Sequence, residues 1–552
     1  MISNRPQHTF PPLRAWLILL CTGLCTCTDT DAESVGKPEP AATPAAPSGE
    51  ALRRIYIREF RVLGARSLPR MEVEEAVYPF LGPGRTLEDV EGARAALEKA
   101  CHDKGFSATQ VIIPEQAGRG GIVVLQVYEG KVGALRVKGS RYFLPSNIRR
   151  QAPSLAEGKV VNFNDVQRDI VALNQLSDRR VTPAIRAGAE PGTVDVDLNV
   201  EDKLPLHGSV ELNNRYTANT TPLRLNASVN YNNLWQLGHS VGASIQIAPE
   251  NSRDARVISG YYIARFPNYS DVSLMFQGSK QDSDVVSLGS SDVFGRGETY
   301  GMHALFTLPQ GKGFYQSLNL GLDYKHYNQQ VRVSSSNSTT PITYFPLSAA
   351  YSATWVDKDK DGKGAVTDFN LTANFHMRGL GSNATKFDSV RYGADGSYLY
   401  LRGDLSHSHD LPGGFQVFAK AQAQLADQPL MNTEQFSAGG EGTVRGYLEA
   451  AALGDNAFMG TIELRSPPIG ASFGKWLNEW RLYTFFEGGT LTLTEPLAEQ
   501  QSHFTLASYG FGSHLRLANH LNGSVDFALP LYGLSPTRVH EGRVTFRVSA
   551  DF

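Results

Sequence analysis

The chain has little cysteine, no long apolar run and almost no excess charge. Only 4 of its 552 residues are cysteine, and Cys21, Cys25 and Cys27 stand near the N-terminus. Once an N-terminal segment that contains them is removed, the remaining Cys101 cannot form an internal disulfide. A low thiol content suits a chain that passes unfolded through an oxidising compartment, where thiols would mispair.

The missing features also restrict how the chain can meet a membrane and which partners it can bind. No window offers the roughly 20 continuous apolar residues that a spanning helix requires. A part that is embedded in lipid must then be a closed β-barrel, because a barrel satisfies its own backbone hydrogen bonds. The formal net charge is −3, so the composition gives no reason to expect a nucleic-acid partner.

Motifs of catalysis are also missing. The sequence shows no hydrolase elbow, phosphate-binding loop, zinc-ligand spacing or catalytic cysteine pattern. We therefore predict a protein that is not an enzyme and that needs no cofactor.

The N-terminus has the features of a secretory signal. Arg5 and Arg14 flank a short apolar run at residues 15–25, which is too short for a transmembrane helix and is followed by small and polar residues. The alternative, a short membrane anchor, is disfavoured by that length. We predict a signal peptide over residues 1–32 and, from its proline and alanine content, a linker over residues 33–50.

An internal repeat follows the linker. The stretch 60–69 reappears at 135–145, with Gly64 and Gly139 in equivalent positions, and such a repeat indicates two copies of one supersecondary unit. In each copy the pattern predicts strand, helix, helix, strand, strand. We assign two small α+β domains, over residues 51–129 and 130–203.

From about residue 204 helical periodicity gives way to successive alternating strands. Segments such as 415–425 and 544–552 alternate apolar and polar residues, as lipid-embedded strands around a wet lumen do. Glycine is abundant, at 53 residues, and aromatics make up 10%, which fits an all-β architecture. We predict an antiparallel transmembrane β-barrel of about sixteen strands over residues 204–552. Short turns alternate with long loops, which we expect at 281–297, 334–340, 380–396 and 437–456.

The last of these loops carries the most specific motif. Its residues are Val444, Arg445, Gly446 and Tyr447, preceded by further glycines that let the chain fold back sharply. A later strand places three residues on one face: Phe485, Glu487 and Gly489. An arginine flanked in this way can enter the lumen and pair with Glu487. The alternative is a flexible external loop with a solvated Arg445.

With these motifs the chain resembles the two-partner secretion family of outer-membrane transporters, the haemolysin and haemagglutinin secretion-activation type within the barrel-assembly superfamily. The resemblance covers nearly the whole chain after the linker. The Val-Arg-Gly-Tyr motif matches the family's hallmark loop motif, and the strand motif matches the one that receives the arginine. Glu487 stands where the family usually has aspartate. Some members have a plug helix before the repeats, which the proline-rich residues 33–50 do not predict.

The resemblance implies two POTRA (polypeptide-transport-associated) domains, a sixteen-stranded barrel and protein export. The domains would capture a large unfolded exoprotein, of adhesin or cytolysin type, by adding it to a free sheet edge. Translocation and gating would fall to the loop and strand motifs. The other partners would be outer-membrane lipid and the barrel-assembly machinery, with Phe552 as the terminal aromatic assembly signal. A general porin would not explain the two domains, and assembly or insertase factors of the superfamily usually carry more POTRA units.

One turn follows the spacing of a calcium-binding loop, with the candidate ligands Asp357, Asp359, Asp361 and Asp368. Gly364 replaces the usual apolar residue, and no helix flanks the segment. Since aspartate followed by glycine also favours a tight turn, we interpret the segment as a short periplasmic turn.

Overall fold

The computed structural model describes residues 54–116, 119–266, 269–282, 285–288, 291–294, 296–333, 336–358, 364–470, 474 and 476–552. The expected signal peptide and linker lie outside the described residues. Among the helices in those ranges, none is long and apolar enough to cross a bilayer.

The first unit is a small sheet covered by helices. Its elements are β1 (Ile55–Ile57), β2 (Glu59–Leu63), α1 (Arg70–Val77), β3 (Gly82–Arg85), α2 (Leu87–Asp103), β4 (Gln110–Ile112) and β5 (Ile122–Tyr128). Strand β5 lies between β2, to which it is parallel, and β4, to which it is antiparallel. Helix α2 is capped at its N-terminus by Thr86, which forms a capping box with Asp89. The pairing of β1 with β3 was not predicted.

The second unit repeats this topology. Its elements are β6 (Lys131–Lys138), α3 (Pro145–Arg150), α4 (Phe163–Leu173), β7 (Arg179–Ala187) and β8 (Thr193–Asp202). Strand β8 lies between β6 and β7, again parallel to one and antiparallel to the other. Each unit has its own apolar core, as two copies of one fold require.

The repeated glycines explain why the two copies share a sequence pattern. Gly64 and Gly139 have φ of 89° and 82°, a conformation that favours glycine. A Cβ would lie 2.3 Å from the Val127 carbonyl oxygen at Gly64 and 2.5 Å from that of Val200 at Gly139. After each glycine, the loop amides donate to a carboxylate near the end of the last strand, Glu129 or Asp202.

The remaining elements form the barrel and its loops. They are β9 (Leu206–Asn213), β10 (Arg224–Leu234), β11 (His239–Ile247), β12 (Arg256–Phe266), β13 (Tyr269–Gln281), β14 (Val285–Leu288), β15 (Ser291–Phe294), β16 (Arg296–Thr307), β17 (Phe314–Val333), β18 (Ser336–Tyr344), β19 (Leu347–Lys358), β20 (Gly364–Phe375), α5 (Ala384–Val390), β21 (Leu399–Asp410), β22 (Gln416–Ala426), β23 (Phe436–Ala438), β24 (Ala452–Gly454), β25 (Asn456–Arg465), β26 (Leu477–Thr492), β27 (His503–Leu517), β28 (Leu521–Pro530) and β29 (Arg543–Asp551).

The described residues close an antiparallel barrel of 16 strands, with β29 paired to β9. Strands β18 and β19 together form one of them, since both pair with β17. The predicted fold class is therefore confirmed.

The expected loops are more ordered than the sequence suggested. Hairpins β14–β15 and β23–β24 and helix α5 lie within three of them. The prediction of a loop at 334–340 is wrong for residues 336–340, because these residues belong to β18. Pairing between β17 and β18 continues to Val333 opposite Ser336, because a polar segment is stable as a strand when its neighbour satisfies its backbone hydrogen bonds.

Alternate residues of the strands face lipid and lumen as predicted. On β26, Phe486 is 54% exposed, whereas the neighbouring Glu487 is 2% exposed. On β22, Leu425 is 66% exposed and Gln424 is fully buried. The period of two thus places the polar side chains inside the barrel.

The second α+β unit is hydrogen-bonded to the adjacent end of the barrel. The turn between β10 and β11 supplies Gln236, whose Oε1 accepts from the Leu144 amide at 2.9 Å. The carboxylate of Asp178 lies 2.7 Å from Nε2 of His207 on β9. These contacts hold the second unit against the first strands of the barrel.

The terminal Phe552 lies at the seam where the barrel closes. Its amide donates to the Gly208 carbonyl at 3.0 Å, and the Gly208 amide donates back at 3.2 Å. Its ring is 68% exposed and covers Gly208, where a Cβ would lie 2.2 Å from the ring Cζ. The residue therefore extends the β29–β9 pairing and presents an aromatic ring outward.

We expect deletion of Phe552 to lower the amount of barrel inserted in the outer membrane, because it removes two closing hydrogen bonds and the outward ring. Folded barrel is measured by heat-modifiable migration in gels. The substitution Phe552→Tyr keeps both features and should insert normally. Equal amounts of folded barrel with and without Phe552 would contradict its role in assembly.

Cys101 should be an inert thiol. It is 3% exposed in the core of the first unit, and burial, helped by the nearby Glu129 and Glu98, raises the pKa of its thiol to about 11. Because the thiolate is the reactive form, we expect slow alkylation by iodoacetamide at neutral pH in protein that lacks residues 1–32. The same protein unfolded in guanidinium is the control. Rapid alkylation of the folded protein would show that the core opens readily.

Candidate functional site

The loop between β22 and β25 folds back into the barrel instead of extending into solvent. We call residues 427–455 the lumen loop. Its centre is a hairpin in which β23 pairs antiparallel with β24, and Gly439 and Gly440 open its tip with φ of 113° and 85°. Val444 is fully buried and Tyr447 is 2% exposed. The alternative of a flexible external loop is therefore wrong.

Arg445 lies at the hairpin tip and contacts Glu487 in three ways. Its backbone amide donates to Oε2 at 2.6 Å, and its Nε and Nη2 lie 3.0 and 2.5 Å from Oε1. Both side chains are buried, Arg445 at 6% and Glu487 at 2% exposure. The structure thus brings together the two residues that the sequence proposed as a pair.

Two further carboxylates, which the sequence analysis missed, complete the site. Nη2 of Arg445 lies 2.6 Å from Oε1 of Glu463 on β25, and Nη1 lies 3.2 Å from Oδ1 of Asp526 on β28. Arg465 contacts the other oxygen of Glu463 at 2.7 Å. The alternation of polar and apolar residues along β25 and β28 could have identified Glu463 and Asp526 as inward-facing. It does not show which inward carboxylates lie at the level of Arg445.

Aromatic rings form the floor beneath the guanidinium. The Phe485 ring centre lies 3.5 Å from Cζ of Arg445, an arrangement that adds a cation–π attraction. Beside it, the Tyr483 hydroxyl donates to Asp526 at 2.7 Å.

Glycines on the next strand make room for these rings. Gly510 stands opposite Phe485, and Gly512 stands opposite Tyr483, in the β26–β27 ladder. A Cβ would lie 2.6 Å from Phe485 Cζ at Gly510 and 2.5 Å from Tyr483 Cζ at Gly512. The two rings therefore lie against bare backbone, which the sequence analysis did not anticipate.

The rest of the motif packs the hairpin against the wall. Gly446 has a φ of 91°, and a Cβ there would lie 3.3 Å from that of Ala528. The Tyr447 hydroxyl lies 2.8 Å from the Tyr532 carbonyl oxygen. At Gly489 a Cβ would lie 2.6 Å from the Met459 sulfur. Small residues are thus required where hairpin and wall approach closely.

Further contacts hold the tip across the lumen. Nε of Arg215, just after β9, lies 2.8 Å from Oε1 of Glu449, and Nζ of Lys420 on β22 donates to the Gly442 carbonyl at 3.1 Å. Against the tip lies a cavity of about 560 Å³ whose charged lining includes both signs: Lys420, Glu441, Arg445, Glu463, Arg465, Glu479, Arg481, Glu487, Asp526 and Arg547. The lumen beside the loop is therefore polar and has room for water.

The calcium-loop candidates are only partly described. Asp359 and Asp361 lie outside the described residues. Asp357 stands opposite Ala365 in the β19–β20 ladder. Asp368 stands opposite Thr354 and accepts a hydrogen bond from the Thr354 hydroxyl at 2.7 Å. Among described residues, no group of three or more histidine, cysteine, aspartate or glutamate side chains is arranged so that it could hold a metal ion. The interpretation of this segment as a short turn stays a prediction.

We expect Arg445→Ala to release the lumen loop, since three buried carboxylates lose their shared cation. Removing one member of a buried pair costs about 3–5 kcal/mol, and the wet cavity reduces that figure. Release is measured as protease cleavage within residues 427–455 of the folded barrel. Glu487→Ala should have a smaller effect, because Glu463 and Asp526 remain.

A double-mutant cycle isolates the pair. The double variant Arg445→Ala/Glu487→Ala should be cleaved by protease no faster than Arg445→Ala alone. Arg445→Lys keeps the charge without the planar fork and should give intermediate cleavage. Purely additive effects would mean that Arg445 does not rest on Glu487.

Comparison with known proteins places the chain in a family. Residues 192–515 match the model "Haemolysin secretion/activation protein ShlB/FhaC/HecB", and residues 55–130 match "POTRA domain, ShlB-type". The outer membrane transporter CdiB of Escherichia coli O6:K15:H31 (strain 536 / UPEC) is 23% identical over 487 residues, 85% of this chain and 78% of that protein. The heme/hemopexin transporter protein HuxB of Haemophilus influenzae (strain ATCC 51907 / DSM 11121 / KW20 / Rd) is 19% identical over 391 residues, 70% of this chain and 68% of that protein.

Solved structures share the fold. CdiB from Escherichia coli superimposes with a TM-score of 0.64 at 20% identity, covering 92% of this chain and 93% of that chain. BamA from Haemophilus ducreyi lacking POTRA domains 1-3 superimposes with a TM-score of 0.55 at 14% identity, covering 90% of this chain and 100% of that chain. Since the family model matches more than half of the sequence, the chain belongs to the ShlB/FhaC/HecB haemolysin secretion/activation family, the outer-membrane transporters of two-partner secretion.

Proposed function

We propose that the two POTRA units capture an unfolded exoprotein in the periplasm and that the barrel passes it to the cell surface in extended form. In this proposal the lumen loop occupies the passage at rest. The observation that carries it is the buried contact of Arg445 with Glu463, Glu487 and Asp526, which ties a loop from one rim to the inner wall.

The first POTRA unit offers a sheet edge for capture, and the structure distinguishes its two edges. At the β4 edge, Val111 is already hydrogen-bonded by helix α2: its amide to Glu98 and its carbonyl to Arg94. No described strand pairs with the outer edge of β2. An extended segment of the partner adds to a free edge through backbone hydrogen bonds, and we assign this role to β2.

The second POTRA unit has less free edge. Asn174, at the end of α4, bonds both the amide and the carbonyl of Val181 on β7, and Pro183 on the same strand lacks an amide proton. On β6, the Val132 amide donates to the Lys159 carbonyl. These contacts favour the first unit as the entry point and the second, docked on the barrel, as the connection to the lumen.

The lumen suits a polypeptide in transit. Its lining carries both charge signs beside the tip, and a second cavity of about 410 Å³ is lined mainly by polar residues of β9, β10 and β11. Polar walls can exchange hydrogen bonds with an extended backbone. Folding of the exoprotein outside the cell then gives the transport its direction.

The partner is a secreted exoprotein, and we propose one of adhesin or cytolysin type. The relative HuxB is named a heme/hemopexin transporter, so cargo differs within the family. A general porin is not favoured, because POTRA units and the lumen loop have no place in it. The likeness to BamA shows a shared fold and does not favour an insertase.

Deleting residues 51–129 should leave an inserted barrel but abolish export, because the first unit has a core of its own and provides the β2 edge. Export is measured as exoprotein in the medium, and the barrel by heat-modifiable migration. Normal export by the truncated chain would refute a capture role.

A matched pair of variants tests the choice of edge. Leu63 on β2 and Ile112 on β4 are 44% and 42% exposed, so an aspartate costs the fold about the same at either position. Leu63→Asp should lower export, and Ile112→Asp should leave it near normal. The reverse order would assign capture to β4.

A further inference from the structure

The lumen loop has further buried ionic contacts away from Arg445, and one of them lies at its root. Glu434 precedes β23, and its Oε1 accepts from Nζ of Lys325 and from the Tyr344 hydroxyl, each at 2.7 Å. Its Oε2 accepts from the Tyr400 hydroxyl at 2.8 Å. Glu434 is 2% exposed, so this carboxylate is completely enclosed by its donors.

The root and the tip are tied to different arcs of the barrel wall. Lys325, Tyr344 and Tyr400 lie on β17, β18 and β21, whereas the partners of Arg445 lie on β25, β26 and β28. We call the Glu434 contacts and the Arg445 contacts the two anchors of the loop. Because they lie on separate arcs of the wall, they hold the loop across the lumen, whereas a single anchor would let the loop pivot.

The two anchors differ in charge balance and in access to water. At the root, each of two carboxylates meets one cation: Glu434 meets Lys325, and Asp455 meets Arg391. Glu434 lies within an apolar cluster: Tyr327, Ile342, Tyr344, Phe387, Ala394, Tyr398, Tyr400, Leu430 and Met431. At the tip, three carboxylates face Arg445 and Arg465 beside the cavity of about 560 Å³. Water can replace contacts at the tip, whereas breaking the root leaves unpaired charges in an apolar site.

Hydrogen bonds make the root rigid. Asp455, at the other end of the loop, is fully buried, and its Oδ1 accepts from the Leu430 amide and from Nε2 of Gln435, each at 2.9 Å. Its Oδ2 accepts from the Thr494 amide at 2.8 Å and lies 3.5 Å from Nη2 of Arg391. The two limbs of the loop are thereby joined to each other and to the neighbouring loop.

We propose that Glu434 is a positioning residue that fixes the root of the lumen loop to β17, β18 and β21. During export the tip leaves the Arg445 site and the hairpin moves about this fixed root. The proposal rests on the proposed export function. The proposal predicts the sign of two effects: weakening the root raises the conductance of the resting channel and lowers the efficiency of export.

The test uses the full chain with Glu434→Gln, Lys325→Met and the double variant. Each single change should raise resting conductance in planar bilayers several-fold and lower exoprotein in the medium several-fold, at equal amounts of heat-modifiable barrel. The double variant should be no worse than either single one. Exchange of the charges in Glu434→Lys/Lys325→Glu should restore part of the export. Glu499→Gln, an exposed glutamate on the neighbouring loop, is the matched control and should behave as the unaltered chain.

The outcomes separate this proposal from the function on which it rests. Faster export by Glu434→Gln would show that the root must normally be released and would overturn the fixed root. Additive losses in the double variant, or unchanged conductance, would also overturn it. Normal export by Arg445→Ala together with all root variants would instead count against the loop as a gate.

Discussion

The organisation of the lumen depends on a single buried guanidinium. Arg445 is held among carboxylates from three strands, and a buried charge in that position is tolerated because each of its three guanidinium nitrogens meets a carboxylate. The surrounding sequence serves this requirement. Phe485 supports the guanidinium from below, and the glycines of β27 let the aromatic rings lie flat. Gly446 lets the hairpin approach the wall closely. A loop that would be mobile outside the barrel becomes part of its interior.

The barrel wall makes such a site possible because successive side chains of a strand point to opposite faces. Phe486 faces lipid one position away from Glu487, and the same division recurs at Leu425 and Gln424 on β22. Carboxylates can therefore be concentrated on the inner face without placing charge in the membrane. The lumen gains a polar lining, and the lining gives the loop its anchors.

The periplasmic units use one structural solution twice. In each, a glycine with positive φ turns the chain after β2 or β6, and a carboxylate near the end of the last strand accepts hydrogen bonds from the amides that follow. The second unit is then bonded to the first barrel strands through Gln236 and Asp178. Side chains of α2, and Asn174 just after α4, bond the edge strands β4 and β7 of their own sheets, whereas no described strand pairs with the outer edge of β2.

Much of this protein is determined by local patterns in its sequence. The repeated glycine turn, the alternation of the strands, the Val-Arg-Gly-Tyr motif and the face shared by Phe485, Glu487 and Gly489 all depend on residues that are near one another in the chain. Periodicity shows which face a side chain occupies, and a glycine-rich loop shows where the chain can fold back. These features predicted the barrel and the two units, and they made the contact of Arg445 with Glu487 one of two alternatives.

The remaining partners were decided by tertiary structure alone. Glu463 and Asp526 meet Arg445 because of the register between strands, which sets the height of each residue on the wall and which no single strand encodes. Glu434 and Lys325 are 109 positions apart, and they meet only when the loop folds into the closed barrel. The order within the expected loops, such as the continuation of β18 through residues 336–340, likewise arises from pairing with a neighbour. Local sequence specifies the strands and their faces, whereas barrel closure and register decide which buried charges become partners.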